Sequence, residues 1–266
     1  METSDYIIRG GAQGRERLRV LSRVMQPATH AFLESAGLRK GMRCLELGCG
    51  GGDVAFDMAQ MVGPKGFVTA TDIDEVKLEI ARGEAVAQGL GNVDFRLADI
   101  TRETPQTGFD FVHARFLLTH LPDPPAALQR MHQALRPGGI VAVEDIDCRG
   151  FFHYPPCAAF DRCIELYSAA ARGKGSDPDI GGRLPALAAA AGFRDLSIHV
   201  AQQAGLTGEV KVIVPLTLEN TSEALIAQGL ATAEEVNRLV DELYDFAQDS
   251  STLMSMPRIV QVSATR

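Results

Sequence analysis

Cys44-Leu45-Glu46-Leu47-Gly48-Cys49-Gly50-Gly51-Gly52-Asp53 sets four glycines within five residues directly after an apolar, strand-like run. Glycine tolerates positive φ and carries no Cβ, so such a turn lets backbone press against a small molecule that larger side chains would exclude. About twenty residues beyond the last glycine, a second apolar run, Phe67-Val68-Thr69-Ala70-Thr71, ends in Asp72, whose carboxylate can accept hydrogen bonds from ribose hydroxyls. Loop and acid together predict a nucleoside cofactor. Spacing narrows the choice. In a dinucleotide fingerprint a third small residue follows at a position held here by Asp53, whereas glycine falls one place earlier, in Glu46-x-Gly48-x-Gly50-x-Gly52.

These residues need a frame, and the hydrophobic periodicity supplies one. Residues 14 to 25 and 28 to 36 read as two helices, the second closed by Gly37. From residue 43 the pattern alternates: strand 43 to 47, helix 53 to 62, strand 67 to 72, helix 74 to 88, strand 93 to 98, strand 110 to 114, helix 124 to 135 and strand 140 to 145. Alternation of this kind implies parallel strands joined by right-handed crossovers, with turns at Gly63-Pro64-Lys65-Gly66, Gly89-Leu90-Gly91-Asn92 and Arg136-Pro137-Gly138-Gly139. Helices near 156 to 172 and 180 to 191, a strand at 195 to 202, two helices within 218 to 248 and a last strand at 259 to 263 complete the chain. Residues 209 to 217 stay open: Val210, Val212, Ile213 and Val214 favour a strand, while the family resemblance described below favours a continuous helix.

Composition bounds the function. The 266 residues suffice for one domain with an elaboration, and 45% hydrophobic and 23% charged residues are ordinary for a globular protein. With a formal charge of -8 no overall positive field draws a phosphate backbone, so nucleic acid is not the expected partner. Five cysteines without C-x-x-C spacing predict reduced thiols, no disulfides and no zinc or other metal. Neither a leader nor an apolar stretch approaching ~20 residues stands out, which predicts a cytoplasmic protein that does not enter a membrane.

The stretch from 41 to 145 resembles the Rossmann-like core of the small-molecule class I S-adenosylmethionine-dependent methyltransferases. The glycine loop is similar to their motif I. Asp99-Ile100 looks like the acidic position that meets the adenine amino group, and Phe109-Asp110-Phe111-Val112-His113-Ala114-Arg115 looks like motif IV. Leu118-Thr119-His120-Leu121-Pro122-Asp123 and Leu135-Arg136-Pro137-Gly138-Gly139 come next, in the family's order. The resemblance implies an α/β fold with a mostly parallel seven-stranded sheet flanked by helices, an N-terminal helical arm over residues 1–40, a core over 41–204 and 258–266, and a mainly helical insertion at 205–257 that serves as a substrate lid. It also implies S-adenosyl-L-methionine as cofactor, bound by Tyr6 of the arm and by Glu46, Gly48, Cys49, Gly50, Gly52, Asp72, Ile73, Asp99, Ile100, Ala114 and Arg115.

The expected reaction is transfer of a methyl group to O, N or C of a small, partly apolar or aromatic metabolite. Methyl transfer is an in-line displacement, so orientation can supply on the order of 7 to 11 kcal/mol. A weakly acidic hydroxyl also needs a general base. Candidates are His153, in the aromatic-rich loop Gly150-Phe151-Phe152-His153-Tyr154-Pro155-Pro156, with His120 and Asp145, and beyond them Glu144 and His113, the last expected to point into the core. Arg115 can hold a carboxylate of cofactor or acceptor, or pair with a neighbouring aspartate. Two rival readings are a catalytically idle S-adenosylmethionine-binding protein that senses the cofactor or supports a partner, and a nicotinamide-dependent oxidoreductase, which Asp53 opposes. A homodimer is compatible with the sequence but not required by it.

Overall fold

The computed structural model describes residues 11–103 and 105–266. Tyr6 lies outside that range. The described chain opens with α1 (Gly11–Ala36), one helix where the sequence predicts two. Pro27 sits inside it, without an N–H to donate, at a typical cost of about 3 kcal/mol. The helix persists because it buries side chains on both flanks of the proline, Leu21 and Met25 before it and Phe32 and Leu33 after it.

Strand and helix then alternate as the periodicity requires: β1 (Arg43–Leu47), α2 (Asp53–Val62), β2 (Phe67–Asp72), α3 (Glu75–Ala87), β3 (Val93–Leu97), β4 (Phe109–Arg115), α4 (Pro124–Ala134) and β5 (Leu135–Asp147). They are followed by β6 (His153–Tyr154), α5 (Ala158–Gly173), α6 (Leu184–Ala190), β7 (Arg194–Ala201), β8 (Ala204–Gly205), α7 (Glu209–Ala227), α8 (Ala233–Gln248), β9 (Leu253–Ser255) and β10 (Arg258–Thr265). Seven strands form one sheet in the order β3-β2-β1-β4-β5-β10-β7. Pairing is parallel for β1 with β2 and β4, β2 with β3, and β4 with β5, and antiparallel for β10 with β7. The expected mostly parallel Rossmann-like sheet is present, and the carboxyl ends of its parallel strands share one edge.

Side chains alternate across the sheet, so each strand feeds two cores. Leu45, Leu47, Val112, Ala114, Val141 and Val143 join α4 and α6 on one face. Cys44, Phe111 and Ala142 join α2, α3 and the end of α1 on the other. Burying α2 alone removes Val54, Phe56, Met58 and Val62 from water, at about 1.5–3 kcal/mol for each large side chain.

Three details go beyond what the sequence settled. The Pro137-Gly138-Gly139 turn belongs to β5: Arg266 donates to the Gly139 carbonyl at 2.9 Å and Gly138 to the Arg266 carbonyl at 3.3 Å, so the segment has the pairing partner a free turn lacks. Residues 209 to 217 are helical, because α7 buries Ile213, Val214 and Leu218, and tertiary packing outweighs the strand preference of β-branched residues. A second sheet, in the order β6-β9-β8, forms from pieces too short to show a period.

Two compact units divide the chain. One comprises 26–145, 180–201 and 259–266; the other comprises the described residues up to Met25 with 146–179 and 202–258. The sequence grouped 146–179 with the core, but α5 places Phe160, Cys163 and Leu166 in a cluster with Val214 and Leu218 of α7 and Val236 and Leu239 of α8. Among the described residues no helix is long and apolar enough to cross a membrane.

Candidate functional site

The four buried residues of β1 deliver the chain into the glycine loop, where Gly48, Gly50 and Gly52 all take left-handed backbone, with φ of 68°, 53° and 86°. The loop is clamped to β2, since Cys49 donates to the Thr71 carbonyl at 2.9 Å, and is closed by Gly52 donating to the Cys49 carbonyl at 2.9 Å. Space adds to strain at two positions. A Cβ on Gly48 would stand 2.9 Å from Leu117 Cδ1, and one on Gly52 would stand 2.9 Å from both Phe56 Cζ and Phe95 Cε1.

Asp72 locks the loop from the end of β2. Its Oδ2 accepts from the Gly50 N–H at 2.8 Å and its Oδ1 from the Asp74 N–H at 3.0 Å. The cap of α3 is Asp74, which accepts from Val76 and Lys77, so capping does not account for Asp72. A carboxylate has about four lone-pair sites, and the two bonds shown leave acceptor capacity for two hydroxyls. Ile73 beside it is 51% exposed, an apolar shelf at the lip of the loop. Asp99 is spent differently: its Oδ1 accepts from the Thr101 N–H and hydroxyl at 2.8 and 2.6 Å, capping its own turn, while Oδ2 faces Arg102 Nε at 3.4 Å. Ile100 and Ala114 are buried.

Beneath the loop lies a row of buried polar groups. On one face of the sheet Cys44, Phe111 and Ala142 are followed two residues later by Glu46, His113 and Glu144, with Gln261 on β10, so the face turns from apolar to polar toward the carboxyl ends. His113 is wholly buried, with Nδ1 3.9 Å from Glu46 Oε1 and Nε2 3.5 Å from Glu144 Oε1. Glu144 accepts from the Thr29 hydroxyl of α1 and from Gln261 Nε2, both at 2.7 Å, and Arg115 donates to the Thr29 hydroxyl at 3.2 Å. Burial alone would raise Glu144, but His113 beside it, the charge of Arg115 and the Gln261 bond hold it below the usual carboxylate range. Glu46 is the opposite case. Burial, opposed by Arg115 but reinforced by Asp53, Asp72 and Asp57, pushes it up to about 8, and its Oε2 has no hydrogen-bond partner.

His120 ends a short 3₁₀ turn, Leu118–His120, which is held to β5 where the Thr119 N–H meets Asp145 Oδ2 at 3.0 Å. His120 and Asp145 thus belong to one local structure. His153 belongs to the other unit, with Nδ1 3.1 Å from the Pro155 carbonyl and Nε2 2.9 Å from Asp161 Oδ1. Both ring nitrogens of His153 therefore already face oxygen partners within its own unit.

Thr29 and Gln261 have no counterpart in the sequence-based list. The signal for Gln261 is a single amide within Ile259-Val260-Gln261-Val262, the same isolated polar interruption that marks Glu46 and His113 in their strands. For Thr29, on a helix, no such signal exists.

A family model described as the methyltransferase domain matches residues 38–172. The nocamycin O-methyltransferase of Saccharothrix syringae is 36% identical over 119 residues, covering 44% of this chain and 42% of that protein. The ubiquinone/menaquinone biosynthesis C-methyltransferase UbiE of Teredinibacter turnerae is 33% identical over 138 residues, covering 51% and 53%. The chain therefore spans about half the length of the curated relatives it matches. Among solved structures, the YcgJ protein of Bacillus subtilis superposes with a TM-score of 0.57 at 15% identity, over 88% of this chain and 95% of that one, a likeness of fold.

Proposed function

The chain belongs to the methyltransferase-domain family, and we propose that it transfers a methyl group from S-adenosylmethionine to a small organic acceptor. The observation that carries this is the sign of the charge around the glycine loop. Asp53, Asp57 and Asp72 gather there around Glu46, against Arg115, an arrangement that repels the pyrophosphate of a dinucleotide and suits a cofactor bearing a sulfonium and an ammonium. Glu46 Oε2, buried and unpaired, fits an ammonium N–H; Asp72 fits the ribose hydroxyls, Ile73 an apolar ring, and Arg115 a carboxylate. When bound, S-adenosylmethionine supplies a methyl group already activated on sulfur.

The protein's own part is to orient and to exclude water. The clamped loop and Asp72 fix one reactant, and alignment of the second is worth on the order of 7 to 11 kcal/mol. For an acceptor that must lose a proton we assign that role to His120, since His113 is wholly buried and both nitrogens of His153 face acceptors. The relatives named for O- and C-methylation support a small metabolite as acceptor. Calorimetric titration with S-adenosylmethionine, S-adenosylhomocysteine and NAD in parallel tests the reading: the first two should bind and NAD should be silent. Binding of NAD alone would overturn it.

A further inference from the structure

We propose that Thr29 and Phe116 are positioning residues that aim the Arg115 guanidinium at the carboxylate of the cofactor's amino-acid end, and that the Thr29 hydroxyl does so by standing between Arg115 and Glu144. The proposal rests on the cofactor reading above. It assigns to two residues outside the glycine loop the task of keeping Arg115 available for a ligand.

Arg115 and Glu144 are register partners on the neighbouring parallel strands β4 and β5, so their side chains leave the sheet on the same face. A guanidinium and a carboxylate so placed are suited to pair directly through two parallel N–H···O bonds. Here a hydroxyl separates them: Arg115 Nη1 donates to Thr29 Oγ1 at 3.2 Å, and Thr29 donates to Glu144 Oε1 at 2.7 Å. Gln261 Nε2 takes the other oxygen of Glu144 at 2.7 Å and lies 3.5 Å from the carbonyl of Ala28, the residue before Thr29. The hydroxyl has one proton, and giving it to Glu144 turns its lone pairs to Arg115, so the direction of the chain is fixed. Thr29, Glu144 and Gln261 are buried, whereas Arg115 is half-buried at the carboxyl end of its strand. The Thr29 bond occupies one of the guanidinium's N–H donors and leaves others for a planar carboxylate. Phe116 is an independent sign of the same purpose. Its φ of 54° lies in the left-handed region that bulky residues avoid, and its N–H is tied to the Glu144 carbonyl at 2.9 Å. That turn sets its ring 5.7 Å from the Arg115 guanidinium carbon, within cation–π range. Backbone strain of this kind persists where neighbouring contacts over-determine it, and it gathers at ligand clamps.

Calorimetric titration of the whole protein with S-adenosylhomocysteine and with its decarboxylated analogue, which keeps the ammonium and lacks the carboxylate, tests the aim of Arg115. Wild type should prefer S-adenosylhomocysteine by about 10- to 100-fold, as expected for hydrogen bonds between charged groups. Valine has nearly the shape of threonine and no hydroxyl, so in Thr29→Val the guanidinium pairs with Glu144 instead. The preference should then fall about 10-fold, while affinity for the decarboxylated analogue moves less than ~3-fold. Thr29→Ser restores the hydroxyl and should keep the preference within ~3-fold of wild type. An unchanged preference in Thr29→Val, or a loss shared equally by both ligands, overturns the proposal, the latter because a general disturbance of the site takes no account of a carboxylate. Wild type that binds the two ligands alike also overturns it, since no carboxylate is then held. Failure of wild type to bind S-adenosylhomocysteine overturns the cofactor reading instead. Should Thr29→Val not fold, Phe116→Gly decides the matter, because glycine relieves the left-handed backbone and removes the ring: the preference should fall ~3-fold or more with the decarboxylated analogue unaffected, and an unchanged preference refutes the proposal.

Discussion

Replacing Glu46 by glutamine should make the unliganded protein more stable and the cofactor bind more weakly. The folded carboxyl titrates at about 8, against ~4.3 for an exposed glutamate. Between those values the folded state keeps a proton that the unfolded chain has surrendered. Stability from this group is therefore complete below the unfolded value and is lost as pH rises toward the folded one, at about 1.4 kcal/mol per unit. At pH 7 the accumulated loss is roughly 3 to 4 kcal/mol. Glutamine has nearly the same shape and no proton to lose, so Glu46→Gln should match wild type near pH 4.5 and exceed it by about 3 kcal/mol at pH 7. Urea denaturation of both proteins at pH 5, 6 and 7 reads the gap directly. Affinity for S-adenosylhomocysteine should drop about 10- to 100-fold, the worth of a hydrogen bond to a charged group. A gap that does not widen with pH would refute the reasoning, because a packing effect of glutamine has no reason to follow a titration.

Three further substitutions or conditions probe other parts of the molecule. Gly52→Ala puts a Cβ at φ 86° and 2.9 Å from two phenylalanine rings, so thermal denaturation should show a loss of about 2 to 4 kcal/mol from backbone strain and overpacking together. Lys211 is 1% exposed and donates to the carbonyls of Leu206, Asp249 and Thr252 and to the Thr252 hydroxyl; Lys211→Met should cost about 2 to 4 kcal/mol and speed amide exchange in the first turn of α7 and in β9. Burial would raise Asp147, but the Arg149 hydrogen bonds and charge, with the charge of Arg258, hold it below its ordinary value. Its contribution is thus present above ~4 and disappears as pH falls through the lowered value, so Asp147→Asn should differ most from wild type at pH 7 and least in strong acid when unfolding is followed by circular dichroism.

Much of this protein was legible from local pattern. Alternating 2.0 and 3.6 periods gave the strand and helix succession from residue 43, because a strand and a helix each bury one side of themselves and the period records which side. Proline and glycine were less dependable. Pro27 and Pro215 sit inside helices, and Pro137 to Gly139 lie within a strand, because in each case neighbouring contacts or pairing outweigh the local preference. A similar override made 209–217 helical.

The chain's own order of residues determined the cofactor end of the site: glycine alone suits three left-handed positions between β1 and α2, and Asp72 must come at the end of the next parallel strand. What tertiary structure alone decided is what those groups are worth chemically. Glu46 and Glu144 are the same residue type, each in an apolar strand, yet one is pushed up and the other held down. The difference arises from His113 beside Glu144 and from Gln261, 117 positions away, while Thr29, 115 positions away, is a further donor to the same carboxylate. Ionisation depends on desolvation and on the donors within a few ångströms, and only folding brings those donors from α1, β4 and β10 to one place.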